Sequence, residues 1–179
     1  MHDLATQALE RLARTPRPRL LGAYRVGESP HHSDLSLSDC DPRLLDLARG
    51  ERVLNAGLEG DDWYRNVAVF RVRRGEGEPF FLEAGNSPSR HVAPGEWAHH
   101  SEQHILLHQM RALAGGSLTG TDLVVDQVYS ERIPCRDCSA LLASLRFCRG
   151  AAVFYSVRSP CGSRGRADIL RTQYGLPAA

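Results

Sequence analysis

The chain of 179 residues lacks three features that would define its class at once: a long apolar run, an excess of one charge, and many cysteines. Because no stretch reaches 18 apolar residues, no transmembrane helix is expected. The 22 basic and 21 acidic residues leave a net charge of +1, so overall electrostatics does not indicate binding to nucleic acid. Any charged partner must therefore be bound by a local site.

The sequence also lacks a secretory signal, because MHDLATQALERLARTPRPR has no charged start followed by an apolar stretch. Its five cysteines are an odd number, and Cys135 and Cys138 form a C-x-x-C pair. In a chain that is not secreted, this spacing indicates metal or redox chemistry before it indicates disulfides. We therefore expect a reducing, cytoplasmic environment.

Hydrophobic periodicity and turn residues predict an α/β domain in which a hairpin is followed by alternating helices and strands. The predicted strands have alternating or continuous apolar residues, and they cover 66–73, 79–83, 123–129 and 151–157. The predicted helices have apolar residues at helical spacing or helix formers between breakers, and they cover 3–14, 42–49, 98–113, 135–146 and 166–173. Residues 1–60 are less regular, and we expect a helical and irregular cap region beside a domain over residues 61–179. This region could also bind a partner or simply pack against the domain.

Two short fragments contain the candidate metal-binding and catalytic residues. The first reads H-x-E, from His100 to Glu102, and the second reads P-C-x-x-C, from Pro134 to Cys138. Zinc in a catalytic site takes three protein ligands and leaves a fourth position for water. His100, Cys135 and Cys138 supply three ligands, and a helix N-terminus favours thiolates over thiols. The two fragments therefore predict a Zn²⁺ site.

Glu102 follows His100 by two residues, a spacing at which two side chains on a helix face different ways. It is therefore poorly placed to ligate the same metal and better placed beside the open coordination position. There a carboxylate can take a proton from water and return it to a leaving group. We expect Glu102 to be the catalytic proton shuttle.

Other interpretations of the same residues stay open. A C-x-x-C alone is also typical of a redox site. Cys148 and Cys161 could complete a structural zinc site with four cysteines, although their spacing is not the paired C-x-x-C of zinc ribbons. His104 and His108 are four residues apart, as in a helical metal pair, but no glutamate accompanies them in the expected pattern.

With H-x-E followed by P-C-x-x-C, the chain resembles the cytidine deaminase superfamily over about residues 64–157. The resemblance implies an α/β fold with a central mixed five-stranded sheet, helices on both faces and zinc between the starts of two helices. It also implies a zinc deaminase domain over residues 61–179. HSE followed by YSERIPCRDC is most similar to the nucleic-acid deaminase domains of bacterial polymorphic toxins.

The resemblance implies hydrolysis of cytosine to uracil in nucleic acid, by attack of zinc-activated water on C4 and release of ammonia. Single-stranded DNA is the favoured substrate, because a stacked base cannot reach a pocket without flipping out, and duplex DNA is a further candidate. A free cytidine or nucleotide deaminase, an adenine deaminase on RNA and a zinc module without turnover stay open. We expect a monomer with no membrane contact. It is either cytoplasmic or, as a toxin, delivered without a signal peptide and bound by an immunity protein.

Five residues near the motifs are expected to contact substrate. Superfamily members commonly have an asparagine after the second strand of the domain, where this chain has Asn86, although loop asparagines are often only turn formers. Trp97 could stack on a base or simply be buried. Ser130 and Glu131 are expected at the pocket rim, unless they form a strand-end turn, and Pro134 belongs to the metal motif. Arginines that could contact phosphates are Arg90, Arg132, Arg136, Arg158, Arg164, Arg166 and Arg171.

Overall fold

The structure is a computed structural model that describes residues 3–30, 33–85, 100–159 and 164–177. Besides short 3-10 and π-helical segments, those ranges contain five main helices, which correspond to the five predicted ones; the predicted start of the third, at 98–99, lies outside the described residues. In chain order they are α1 (Leu4–Arg14), α2 (Pro42–Glu51), α3 (Ser101–His104, Ile105–Met110 and Arg111–Leu113 in succession), α4 (Arg136–Ser144) and α5 (Arg164–Gln173). The middle segment of α3 is a π-helix, and a second π-helical segment, Arg52–Ala56, follows α2.

Five strands form one mixed sheet in the order β1-β5-β4-β2-β3. They are β1 (Gly22–Arg25), β2 (Val67–Arg74), β3 (Phe80–Gly85), β4 (Leu123–Arg132) and β5 (Ala152–Val157). The predicted hairpin is confirmed, because β2 and β3 pair in antiparallel fashion. Strands β4 and β5 are parallel, as expected for two strands that a helix connects.

Helices cover both faces of the sheet, as the resemblance implied. All six residues of β5 are buried, and successive side chains point to opposite faces. Val153 packs in a core cluster with Leu106 of α3, whereas Phe154 packs in a second cluster with Leu44 of α2. A strand that is buried on both faces explains why AAVFYSV is an almost continuous apolar run.

Within residues 3–30 and 33–60, one strand and one helix pack directly with the sheet. Strand β1 pairs with β5, with Ala23 opposite Phe154, and so forms one edge of the sheet. Leu44 and Ala48 of α2 are fully buried against one sheet face. The sequence did not predict β1 because four residues, one of them glycine, are too few to show strand periodicity.

Strand β4 continues three residues beyond its predicted end at 129. Ser130, Glu131 and Arg132 are therefore strand residues rather than a turn, and all three are buried. Because side chains alternate along a strand, Ser130 and Glu131 point to opposite faces of the sheet. This alternation decides which of them reaches the candidate site.

None of the helices in the described ranges is long and apolar enough to span a membrane.

Candidate metal centre

Two helix N-termini bring the three predicted ligands together. His100 is the N-cap residue of α3, and Cys135 is the N-cap residue of α4, directly after Pro134. The Cys135 sulfur accepts a hydrogen bond from the backbone N–H of Cys138 over 3.4 Å, which closes the first turn of α4. Both sulfurs therefore lie at the start of one helix, close to the imidazole at the start of the other.

The distances within the trio fit one metal ion. Nδ1 of His100 lies 3.3 Å from Sγ of Cys138 and 3.3 Å from Sγ of Cys135. All three donor atoms lie within 4.8 Å of one another. Tetrahedral zinc with ordinary Zn–N and Zn–S bonds separates nitrogen from sulfur by about 3.6 Å, so a small adjustment would accommodate the ion. A trio of one imidazole and two sulfurs is compatible with zinc and leaves one position open.

Two alternative metal sites find no support in the described ranges. His104 and His108 have ring centroids 5.1 Å apart, but no third ligand joins them in a metal-binding group. Cys148 is buried in the core cluster that contains Leu106 and is not part of the trio. Cys161 lies outside the described residues, as does His99.

Acidic side chains lie next to Cys138. Burial raises the pKa of the Cys138 thiol well above its ordinary value, and the neighbouring Glu102 and Cys135 raise it further. These surroundings favour the protonated thiol, whereas metal ligation requires the thiolate and releases the proton. A divalent cation would thus neutralise a local excess of acidic groups.

Glu102 lies beside the trio but is not part of it. The residue is only 2% exposed, and the polar side chains that contact its carboxylate include two serines and an asparagine. Ser130 donates from Oγ to Oε1 over 2.7 Å, and Asn66 donates from Nδ2 to the same oxygen over 3.3 Å. Ser101 donates from Oγ to Oε2 over 3.3 Å. A buried carboxylate held in this way has a fixed direction next to the His-Cys-Cys trio.

Asn66 is a site residue that sequence reasoning missed. It is buried directly ahead of β2, where an asparagine reads as an ordinary turn former. Its Oδ1 accepts a hydrogen bond from the backbone N–H of Arg132 over 2.9 Å. Its Nδ2 lies 2.8 Å from Oγ of Ser101 and 2.8 Å from Oγ of Ser130. No local sequence pattern could have indicated these partners, which lie 35 and 64 residues away.

The five predicted substrate contacts have different placements. Ser130 is fully buried and contacts Glu102 rather than forming an exposed rim. Pro134 is buried, and its carbonyl accepts a hydrogen bond from Oγ of Ser139 over 3.2 Å. Asn86 and Trp97 lie outside the described residues, as does Arg90.

The expected rim position of Glu131 is wrong, because its side chain is fully buried on the other sheet face. Its carboxylate forms an ion pair with the equally buried Arg52. It also accepts hydrogen bonds from the Tyr174 hydroxyl over 2.7 Å and from the backbone N–H of Val67 over 2.8 Å. Arg132 is likewise unavailable to phosphate, because it is buried and donates to the Trp63 carbonyl.

Arg52 crosslinks the segment ahead of β2. Beyond its pair with Glu131, it donates to the carbonyls of Asp62 and Arg65, in each case over 2.9 Å, and its guanidinium lies over the Trp63 ring. Burial alone would lower the pKa of Arg52, but the Glu131 carboxylate raises it. This network fixes the backbone from which Asn66 projects.

The site thus consists of a His-Cys-Cys trio that could bind a metal ion and a buried carboxylate beside it. Comparisons with protein-family models, with curated proteins and with solved structures yield no match for this chain.

Proposed function

We propose that this protein is a zinc-dependent hydrolase that deaminates a nucleobase and has the fold of the cytidine deaminase superfamily. The observation that carries the proposal is a buried glutamate, Glu102, placed against a His-Cys-Cys trio without belonging to it. A structural zinc site needs its ligands but not an adjacent buried carboxylate. A hydrolytic site needs both a metal and a group that moves protons.

When bound, Zn²⁺ would act as a Lewis acid that makes water a nucleophile near neutral pH. Hydrolysis at C4 of cytosine forms a C–O bond, breaks the bond to the exocyclic amine and releases ammonia. Protons must move from the attacking water to the ring nitrogen and to the departing amine. Glu102 performs both transfers, and Ser130 and Asn66 hold its carboxylate in position.

Cytosine in single-stranded nucleic acid, with DNA favoured, is the proposed substrate. Arg136 is exposed in the first turn of α4, and Arg158 is exposed directly after β5. Because β4 and β5 are parallel, their carboxyl ends lie at the same end of the sheet, and the His-Cys-Cys trio lies at this end too. Two exposed guanidinium groups at that end suit the phosphates that flank a target base.

The decisive experiment compares zinc-loaded protein with its Glu102→Gln variant on single-stranded DNA, duplex DNA, RNA and free cytidine. We expect the wild type to convert cytosine to uracil in single-stranded DNA. The variant should lose about 100- to 10,000-fold in rate, the usual contribution of a positioned proton-transfer group. It should keep its zinc, because Glu102 is not a ligand.

A matched control is Glu76→Gln, since Glu76 is exposed on the turn between β2 and β3. This variant should keep wild-type activity and metal content. Turnover of free cytidine alone would contradict the proposed nucleic-acid substrate. Absence of turnover on all four substrates by the zinc-bound protein would overturn cytosine deamination, and loss of zinc in Glu102→Gln would overturn the role of Glu102.

Removal of either exposed arginine should lower the affinity for single-stranded DNA. It should also make that affinity less dependent on salt concentration. For Arg136→Ala or Arg158→Ala, we expect the slope of log K against log salt to become shallower by about 0.7, the value for one lost phosphate contact. Fluorescence anisotropy over a salt series measures this slope. Arg74→Ala is the control, because Arg74 pairs with Leu123 at the opposite edge of the sheet. Equal slopes for all four proteins would exclude phosphate contacts by these two arginines.

A further inference from the structure

A chain of hydrogen bonds runs from the backbone of β4 to the Glu102 carboxylate. It begins at the N–H of Arg132, passes through the Asn66 amide and the Ser130 hydroxyl, and ends at Oε1 of Glu102. Each of the three side chains is at least nine-tenths buried. Water is therefore poorly placed to replace any of these bonds.

The direction of the chain is fixed by its first bond. A backbone N–H can only donate, so the Asn66 atom that faces Arg132 must be the oxygen, 2.9 Å away. The NH₂ group of Asn66 must then face Ser101, Ser130 and Glu102. The surroundings thus fix the orientation of the Asn66 amide. In this orientation its NH₂ group donates hydrogen bonds towards the site.

The second bond orients the Ser130 hydroxyl. Its oxygen accepts from Nδ2 of Asn66, so its own proton is free to point at Oε1 of Glu102 over 2.7 Å. Oε1 therefore receives a short bond from Ser130 and a longer one from Asn66. Two donors on one carboxylate oxygen restrict the rotation of the Glu102 side chain.

The anchor of Asn66 is rigid. The next residue, Val67, donates its backbone N–H to the buried carboxylate of Glu131 over 2.8 Å. In the sheet, Ala68 pairs directly with Ser130. Two neighbouring strands thus support Asn66 and Ser130, and a group supported by strands is held more precisely than one on a loop.

We infer that Asn66 is a positioning residue that holds Glu102 in its reactive orientation through Ser130. The inference deepens the proposed deaminase function and rests on it. Loss of the Asn66 donor should lower kcat about 10- to 100-fold, as loss of outer-shell partners does at other metal sites. KM and zinc content should change little, because Asn66 is not one of the metal ligands.

The test uses the zinc-loaded full chain with Asn66→Asp and, separately, Ser130→Ala. Asn66→Asp keeps the side-chain shape and the bond from Arg132, but its new carboxylate repels Glu102 and draws the serine hydroxyls away. Asn55→Asp is the matched control, because Asn55 also donates to a glutamate, Glu51, and is not among the groups that contact Glu102. We expect a selective fall in kcat for the two site variants and none for the control.

Crystal structures of the same variants separate this inference from the deaminase proposal. Displacement of the Glu102 carboxylate with the trio in place supports positioning by Asn66, whether or not the wild type turns over a substrate. Glu102 in its wild-type position in both variants overturns the inference, as does an unchanged kcat in both. Should Asn66→Asp fail to fold, Ser130→Ala decides alone, because it only removes one hydroxyl.

Discussion

Replacing Glu131 with alanine should lower the free energy of unfolding by about 3–5 kcal/mol, the usual effect of leaving one member of a buried ion pair without its partner. Glu131 and Arg52 are both fully inaccessible to solvent. The substitution would also remove the acceptor for the Tyr174 hydroxyl and for the Val67 N–H. In a chain of this size we expect the melting temperature to fall by roughly 6–20 °C, which thermal and urea denaturation can measure.

Two controls define the cause of this loss. Asp122→Ala removes an ion pair with Arg74 in which both side chains are more than half exposed, and such pairs contribute about 1 kcal/mol or less. The double substitution Arg52→Met with Glu131→Leu should recover only the part of the loss that comes from the unpaired charge. The Tyr174 hydroxyl, the Val67 N–H and the carbonyls that Arg52 contacts still lose their partners. A loss by Glu131→Ala no larger than that by Asp122→Ala would contradict the assignment of Glu131 as a buried structural residue.

The error over Glu131 shows why sequence reasoning failed at the end of β4. The resemblance suggested that Ser130 and Glu131 lie at the pocket rim, and the polar run Ser-Glu-Arg gave no sign that the strand continues, because polar residues are usually exposed. The structure instead satisfies each side chain with a partner far along the chain; Arg52 lies 79 residues from Glu131. Such pairing depends on tertiary contacts, and no local pattern indicates it.

The regular elements were predictable for the opposite reason. The β2–β3 hairpin and the apolar strand β5 follow from local periodicity, and each has enough residues to show it. Helix α2 begins as predicted, with Asp41 accepting from the N–H of Arg43 over 3.0 Å and Pro42 in the first turn. Strand β1 is too short for such a signal, and its place at the sheet edge comes from pairing with β5.

The metal trio was also predictable, because two helix starts bring together residues that the motif spacing had singled out. His100, Cys135 and Cys138 converge as expected, with their donor atoms within 4.8 Å. The support of Glu102 was not predictable, since Asn66 lies 36 residues before it. Motif spacing thus predicts the trio, whereas the groups that orient Glu102 depend on the sheet register.

Replacing Cys138 with alanine should reduce zinc affinity more than about 100-fold, beyond the effect of losing an outer-shell partner. Cys138 is fully buried, so water is poorly placed to substitute for its sulfur. Zinc content after dialysis against a weak chelator, measured by mass spectrometry, should fall from one ion per chain to a trace. With cobalt added to saturation in place of zinc, the sulfur-to-metal charge-transfer absorption per bound ion should fall by about half, because one of two thiolates is lost.

Cys148→Ala is the matched control, because Cys148 is as buried as Cys138 but is not part of the trio. It should lose some stability through the cavity it leaves, yet retain the metal and the full cobalt absorption. Equal metal loss in both variants would indicate that Cys138→Ala loses zinc because it unfolds and not because it lacks a ligand. A wild type without zinc or thiolate absorption would exclude the trio as a metal site. Because burial raises the pKa of the Cys138 thiol and ligation requires the thiolate, zinc binding by the wild type should release a proton from this group.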